Sequence, residues 1–493
     1  MPIAKINKKN KQRNYWVAGL GALVLALAGC ATVSSTPDAP AVTAGNRASG
    51  AKSHPQILQQ FGGEVEGPAS LYVKRVGERI AVSAGLANQC TFSVINSEVV
   101  NAFAVPGCYI YITRGLLAIM NSEDELASVL GHEVGHVTAD HSTRRQNTSM
   151  ATSLGAVLAG VLTGSGEIAN MAGQLGQVYT LGYSRDQEFE ADDLGVRYLG
   201  GAGYNQYAAA DMLNALGSND ALLAKTSNRS MADTTPSWAR THPLSADRVV
   251  RAKSRAQAAG ASPAVPPPVT KVYLEAINGM LIGDDPEQGF VSGQTFSHPK
   301  LKIAFDAPPG FTLQNAPQAI SIAGKTGKAQ FSGGKMPDAG LEAYASQTLK
   351  AVLGQSPAQY GQRQSTSTNG LETVIAPARV QNQSGQILDV VVYAYRVGES
   401  VYSFITLSAA GAAQPFTSML RSFRTLSDKD AAALKARQIT IVTVGAKDNA
   451  ESLSRRMAYN DFQYERFQML NGRGASSPPL KAGDLVKIVS YAK

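Results

Sequence analysis

His132-Glu133-Val134-Gly135-His136 is the stretch whose reading decides the fold around it. Two His four residues apart on a helix project to the same side, so both imidazoles can reach one metal ion. The flanking residues predict that helix. Ser122 followed by Glu125 makes a capping box, and Leu126, Val129, Leu130, Val134 and Val137 recur at helical spacing. Glu133 lies roughly 100° round the helix from His132, where its carboxylate faces a metal-held water in place of the metal. Zinc brings the pKa of such a water to about 7, and a neighbouring carboxylate can take its proton as it attacks a carbonyl. The spacing therefore points to hydrolysis of a peptide bond.

A catalytic zinc takes three protein ligands and keeps a fourth position open. The third is sought in Ser184-Arg185-Asp186-Gln187-Glu188-Phe189-Glu190-Ala191-Asp192. On a helix Glu188 and Asp192 share a face, while Glu190 points away. Glu188 is the expected third ligand of a single Zn2+ per chain. Asp192 is the expected acceptor for the free N–H of a ligand imidazole, that of His132. Taken alone, the same segment would be a solvated acidic helix with Arg185 in a surface pair.

HEVGH followed by SRxxExxAD resembles the HtpX-like and CAAX-prenyl-protease-like zinc metallopeptidases, a gluzincin family. Asn101-Ala102-Phe103-Ala104-Val105-Pro106-Gly107 matches the same family, as does Thr241-His242-Pro243 with Arg248 beyond it. The four motifs stand in the family's order over roughly residues 55 to 255. One departure is Cys108, where the pattern has a second Gly. The resemblance implies an α+β chain whose peptidase domain is zincin-like, mainly helical, with a small edge sheet. It implies that Asn101, Ala102 and Phe103 end the edge strand above the zinc, where an extended substrate adds by main-chain hydrogen bonds. The plainer alternative is an ordinary edge strand with Phe103 in the core. His242 is expected near the metal, either to stabilise the oxyanion or to bind zinc and shut the site. Arg248 orients a loop acid or the substrate, or is a surface cation. His141 lies five residues after His136 on an adjacent face, and reads as a core or surface polar group; His54 and His298 precede Pro in turn-like contexts.

The first 29 residues read as a leader. Lys5, Lys8, Lys9, Lys11 and Arg13 precede an apolar run, Trp16 to Ala28, that is short for a spanning helix. Leu27-Ala28-Gly29-Cys30 resembles the bacterial lipobox, which makes Cys30 the expected lipidation site. Ala31 after it resembles the signal for the outer membrane of a Gram-negative cell, with the protein facing the periplasm. Residues 30–54 read as a flexible tether rich in Ser, Thr, Pro and Ala. Five of the eight net positive charges precede Cys30, and no basic run carries interleaved aromatics, so nothing supports nucleic-acid binding. Cys90 and Cys108 remain as a pair, read as a disulfide in an oxidising compartment.

A chain of 493 residues exceeds one core. After a peptidase domain at 55–260, the Pro-rich stretch 261–269 reads as a linker. Residues 270–427 read as an α+β accessory domain with some likeness to PsbP or Mog1, and 428–493 as a unit resembling the end of a LysM module. That last match is partial, because Ala446-Lys447-Asp448 stands where Gly-Asp-Thr is usual. Peptidoglycan binding is therefore a weaker expectation than packing on the peptidase. Met150 to Gly182, rich in Ala, Gly and Leu, reads as packed helices or a hydrophobic lid. Together these readings predict a zinc endopeptidase, lipid-anchored at the outer membrane, that cuts misfolded or stalled envelope proteins, with β-barrel precursors and their assembly machinery as candidate partners. A chaperone-like assembly factor with a latent peptidase is the alternative, and a cell-wall-binding scaffold a third.

Overall fold

The computed structural model describes residues 42–142, 182–226, 238, 241–242, 246–264, 269–382, 385–474 and 477–492. The leader, Cys30 and residues 150–181 of the Ala/Gly/Leu-rich segment lie outside them.

The chain around HEVGH begins with α1 (Ala44–Gln60) and α2 (Pro68–Ser83). Strands β1 (Thr91–Ile95), β2 (Ala102–Val105) and β3 (Tyr109–Thr113) follow, then α3 (Arg114–Ile119) and α4 (Glu123–Thr138). β3 lies between β1, to which it is parallel, and β2, to which it is antiparallel, so β2 forms an edge of the sheet. Cys90 and Cys108 are joined where β1 and β3 begin, with Thr91 N–H donating to Cys108 O at 2.8 Å. The expected flexible tether to residue 54 is corrected by α1, which starts at Ala44 behind a Thr43 cap. Pro55 within it costs an internal hydrogen bond, which hid the helix in the sequence. Burial of Ile57 and Phe61 against Phe103 and Tyr111 holds it in place. Gly50 is required at the contact, since a Cβ there would stand 2.4 Å from Pro106 O.

Two further helices close over α4. These are α5 (Arg185–Gly201) and α6 (Ala208–Thr226), with α7 (Ala246–Ala258) packed behind them. The approach of α4 to α5 depends on small residues. A Cβ on Gly135 would meet Ala191 O at 2.8 Å, and one on Gly195 would meet His132 N at 3.1 Å. The Gly inside HEVGH is thus what lets the second acidic helix reach the two His.

The Pro-rich stretch does not separate two cores. Directly after it, Thr270 N–H donates to Asn121 O and Thr270 Oγ1 accepts from Glu123 N, both at 3.1 Å. α8 (Lys271–Ile277) then buries Tyr273, Leu274 and Ile277 in the core that holds α2 and α4. β4 (Leu281–Ile282) pairs with β5 (Arg437–Thr443), which pairs antiparallel with β6 (Leu485–Tyr491). α9 (Ala450–Ser454) and α10 (Gln463–Leu470) lie between them, and Ile439, Leu453, Phe467 and Val489 join the same core. The expected boundary at 261–269 is therefore corrected: composition marks a loop there, but burial continues across it. Lys487 of β6, fully buried, donates to Ala118 O at 2.7 Å and to Met120 O, the carbonyls that end α3.

Between β4 and β5 the chain makes a separate antiparallel structure. Its larger sheet centres on Leu371–Gln381, Ile387–Val397, Ser400–Ala409 and Gly327–Lys335. Helix Gly340–Leu353 covers one face, with Leu341, Ala345 and Leu349 on Val374, Ala376 and Val392. A second core of Phe296, Phe305, Phe331, Phe404 and Phe423 lies beside it. The whole is α+β, and among the described residues no helix is long and apolar enough to cross a membrane.

Candidate metal centre

The helix bearing the two His is fixed at its start by local bonds. Ser122 Oγ accepts from Glu125 N at 3.1 Å, one half of the expected capping box. The other half is displaced by one residue, because Glu125 Oε2 takes Asn121 N–H instead of the cap's own. Acidic Glu123, Asp124 and Glu125 in the first turn suit the positive end of the helix dipole.

His132, His136, Glu188 and His242 each turn one donor atom towards a common point, all within 4.8 Å of one another. His136 Nε2 is 3.0 Å from His132 Nε2 and 3.5 Å from Glu188 Oε1. His242 Nδ1 is 3.2 Å from His132 Nε2 and 3.1 Å from Glu188 Oε1. The other nitrogen of His242, Nε2, faces Glu133 Oε1 at 3.5 Å. Both Glu133 oxygens are buried and, among the described residues, without a hydrogen-bond partner. Burying a carboxylate this way is costly unless something polar meets it. Three imidazoles and one carboxylate round a single point form a donor set suited to zinc, and Glu133 beside it is placed for an ion's water rather than for the ion. The residues present fit the metal.

The charges agree with this. Burial and the surrounding imidazoles of His132, His242 and His141 hold His136 well below the usual histidine range, in its neutral, metal-binding form. Burial would raise Glu188, but His242, His132 and Arg248 outweigh it and keep the carboxylate ionised. Burial raises Glu133, with His242 and His132 only partly opposing. Burial would likewise neutralise His242, yet Glu188 and Glu133 pull it upward.

Asp192 lies behind the ligands. Its Oδ1 is 2.9 Å from His132 Nδ1, the contact anticipated from the helix spacing. Arg248 is not a surface cation: it is buried, gives Nε and Nη2 to the two Asp192 oxygens at 2.7 and 2.8 Å, and sets Nη1 2.6 Å from Glu188 Oε2. One guanidinium from α7 therefore aligns both acids of α5, which reach their partners on α4.

Asn101, Ala102 and Phe103 come to the edge of the sheet beside α4. The Phe103 ring lies in the core, stacked on Tyr111 at 5.0 Å and next to Phe61. Asn101 Oδ1 accepts from Thr241 Oγ1 at 3.3 Å, so the segment carrying His242 rests on the start of β2. Two aromatics frame that segment. Trp238 stacks on His242, and Tyr183 lies flat on His136 at 3.7 Å while its N–H holds Thr241 O at 3.0 Å.

Sequence reasoning missed four residues. Trp238 and Tyr183 gave no periodic signal: Tyr183 lies outside any helix or strand, and Trp238 is helical, its carbonyl accepting from His242 N at 2.7 Å. His141 is the core rather than the surface polar group: it is fully buried, and its Nδ1 is 2.8 Å from His136 Nδ1. Glu190 turns from the ligand cluster, as its helix position implies, and meets His141 Nε2 at 3.0 Å. The signal for His141 was its place just past the helix, where the left-handed Asp140 bends the chain back. His54 is not in a turn but on α1, with Nδ1 2.8 Å from Tyr111 Oη; His298 lies in a strand, Thr295–His298, of the inserted structure.

Residues 69–256 match the family model described as peptidase family M48. The chain is similar to a "putative beta-barrel assembly-enhancing protease" of Vibrio cholerae, 32% identical over 38% of this chain and 39% of the relative. It is similar to the mitochondrial metalloendopeptidase OMA1 of Schizosaccharomyces pombe, 28% identical over 40% of this chain and 57% of that protein. It is also similar to the metalloprotease YcaL of Escherichia coli, 30% identical over 32% of this chain and 64% of that one. The match thus spans about two fifths of the first of these relatives. Among solved structures, a cyanobacterial PsbP from Synechocystis overlays 27% of this chain and 91% of its own, at 13% identity and a TM-score of 0.22.

Proposed function

Since residues 69–256 match the model described as peptidase family M48, we propose that the chain is a zinc-dependent endopeptidase. The observation that carries this is the convergence of His132, His136 and Glu188 donors beside the Glu133 carboxylate, buried and, among the described residues, unpartnered. Zinc, when bound by His132, His136 and Glu188, supplies Lewis acidity and makes water a nucleophile at neutral pH. Glu133 takes the proton of the attacking water and hands it to the departing amine. Its raised pKa, caused by burial, suits a group that must hold that proton for an interval. Asn101 already gives its N–H to Thr113 Oγ1 and accepts Thr113 N–H at its carbonyl, so it is the edge-strand main chain from Ala102 onward that favours an extended, unpaired segment as substrate.

The resting site reads as closed. His242 directs one nitrogen to the ligands and the other to Glu133, so it covers both the fourth metal position and the base. This favours the latch over the oxyanion stabiliser, and a peptidase that is latent until substrate displaces a segment. The relatives named as β-barrel assembly-enhancing proteases, together with the lipobox-like run ending at Cys30, favour misfolded or stalled envelope proteins as substrates and a lipid-anchored place at the periplasmic face of the outer membrane. An assembly role with the peptidase held latent is the second reading, supported by the same closed arrangement.

The test compares the full chain with Glu133→Gln on an unfolded protein, with zinc content measured in both. Retained zinc with loss of cleavage is the expected result. Cleavage by Glu133→Gln at the parent rate would overturn the reading.

A further inference from the structure

We propose that His141 and Glu190 are positioning residues for the metal, acting through His136. The inference rests on His136 being a zinc ligand. Its donor atom facing the other ligands is Nε2, 3.0 Å from His132 Nε2 and 3.5 Å from Glu188 Oε1. When Nε2 is given to a metal, the neutral ring carries its proton on Nδ1. That nitrogen lies 2.8 Å from His141 Nδ1, so His141 must accept there. A neutral His141 accepting at Nδ1 bears its own proton on Nε2, and Nε2 is 3.0 Å from Glu190 Oε2. Each link leaves one arrangement for the next. The two rings are fully buried, whereas the Glu190 side chain is 47% exposed.

The two metal-facing imidazoles of α4 are therefore backed in different ways. His132 meets a buried carboxylate directly, Asp192, which Arg248 clamps. His136 is tied through a second imidazole to a carboxylate at the surface. Both chains run from α4 to α5, and two residues of the same helix, Glu190 and Asp192, end them. The His136 chain exists because the backbone turns left-handed at Asp140, φ 52°, and brings His141 back beneath the ring five residues earlier. Partners of this kind fix ring plane and tautomer, and their loss typically weakens metal binding about 10- to 100-fold.

The experiment measures zinc affinity by competition with a chromogenic chelator, using the full chain in a Glu133→Gln background to prevent self-cleavage. His141→Gln offers an amide oxygen to His136 and an amide N–H to Glu190, reproducing both bonds. His141→Leu fills similar space and makes neither. His141→Leu should bind zinc about tenfold or more weakly, with His141→Gln close to the parent. Glu190→Ala, at a half-exposed position that folding tolerates, should lose affinity severalfold with no change in the melting temperature of the chelator-treated protein. The inference is overturned if His141→Leu binds as tightly as the parent, or if His141→Gln is weakened as much as His141→Leu. Should His141→Leu fail to fold, unchanged affinity in Glu190→Ala overturns it. A parent that takes up no zinc removes the metal reading itself; zinc in the parent with unchanged affinity in these variants removes the relay alone.

Discussion

Trp238 lies on His242 with ring centroids 4.4 Å apart and planes inclined by 26°. Its indole is thus a weight on the histidine that faces Glu133, and the pair tests what that histidine is for. An aromatic stack of this sort is worth about 0.5–1.5 kcal/mol beyond burial. If His242 is a latch, Trp238→Ala and His242→Ala should both raise basal cleavage of an unfolded protein, the first by a few-fold. If His242 instead steadies the oxyanion, His242→Ala should lower kcat by ~100-fold or more. Steady-state rates of the two variants decide, and a fall in both sinks the latch.

Arg248 serves two buried carboxylates at once, Asp192 and Glu188. Replacing it by Met leaves both without their cation, a change that usually costs about 3–5 kcal/mol. Arg248→Met should therefore lower stability by that order in urea titrations and lose zinc as well. A variant with the parent's urea midpoint would show that the clamp carries no such weight.

Asp220, buried on α6, is pushed up to about 6 by burial, with Asn219 only partly opposing. Unfolded, it ionises near the ordinary aspartate value of about 4. Below that value both states are protonated and the group costs nothing. As pH rises from there through the folded value, the unfolded chain loses its proton first and stability falls. Asp220→Asn should accordingly melt higher than the parent at pH 7.5, and the gap should close at pH 4. An equal gap at both pH values would contradict the assignment.

Lys487 Nζ donates to the carbonyls of both Ala118 and Met120 at the end of α3. Buried carbonyls that lose their donor cost about 1–3 kcal/mol. Lys487→Met should therefore destabilise the peptidase part itself, with β5, β6 and α4 unfolding in one transition. Two separate transitions by hydrogen exchange, the strands first, would show that the shared core does not couple them.

Much of the centre was legible because its chemistry is encoded at short range. HEVGH and the Glu188/Asp192 spacing declare which side chains share a helix face, and those residues do meet across α4 and α5. The role of Arg248 was evenly balanced in the sequence, since an Arg on a polar helix looks the same whether it faces solvent or two acids. That His141 and Glu190 meet is hidden for a related reason. Their meeting depends on a left-handed bend at Asp140 and on the rotation of one helix against another, neither of which periodicity reports. The continuity of the core past the Pro-rich stretch was equally hidden, because Tyr273 and Lys487 find their partners only after distant segments have packed. α1 was lost to Pro55, where tertiary burial of Ile57 and Phe61 overrides a local signal against helix.

The placement of β6 has a bearing on when this core can be completed. HEVGH is made early, but the end of α3, which precedes its helix, is bonded by a lysine from Leu485–Tyr491, supplied only after the whole inserted α+β structure has been synthesised. Contacts so far apart in sequence form late, since the loop between them must close first. A chain still emerging from a ribosome would carry HEVGH before the strand that bonds the end of α3 has been made. Topology thus delays completion of this core until the last strand has been made.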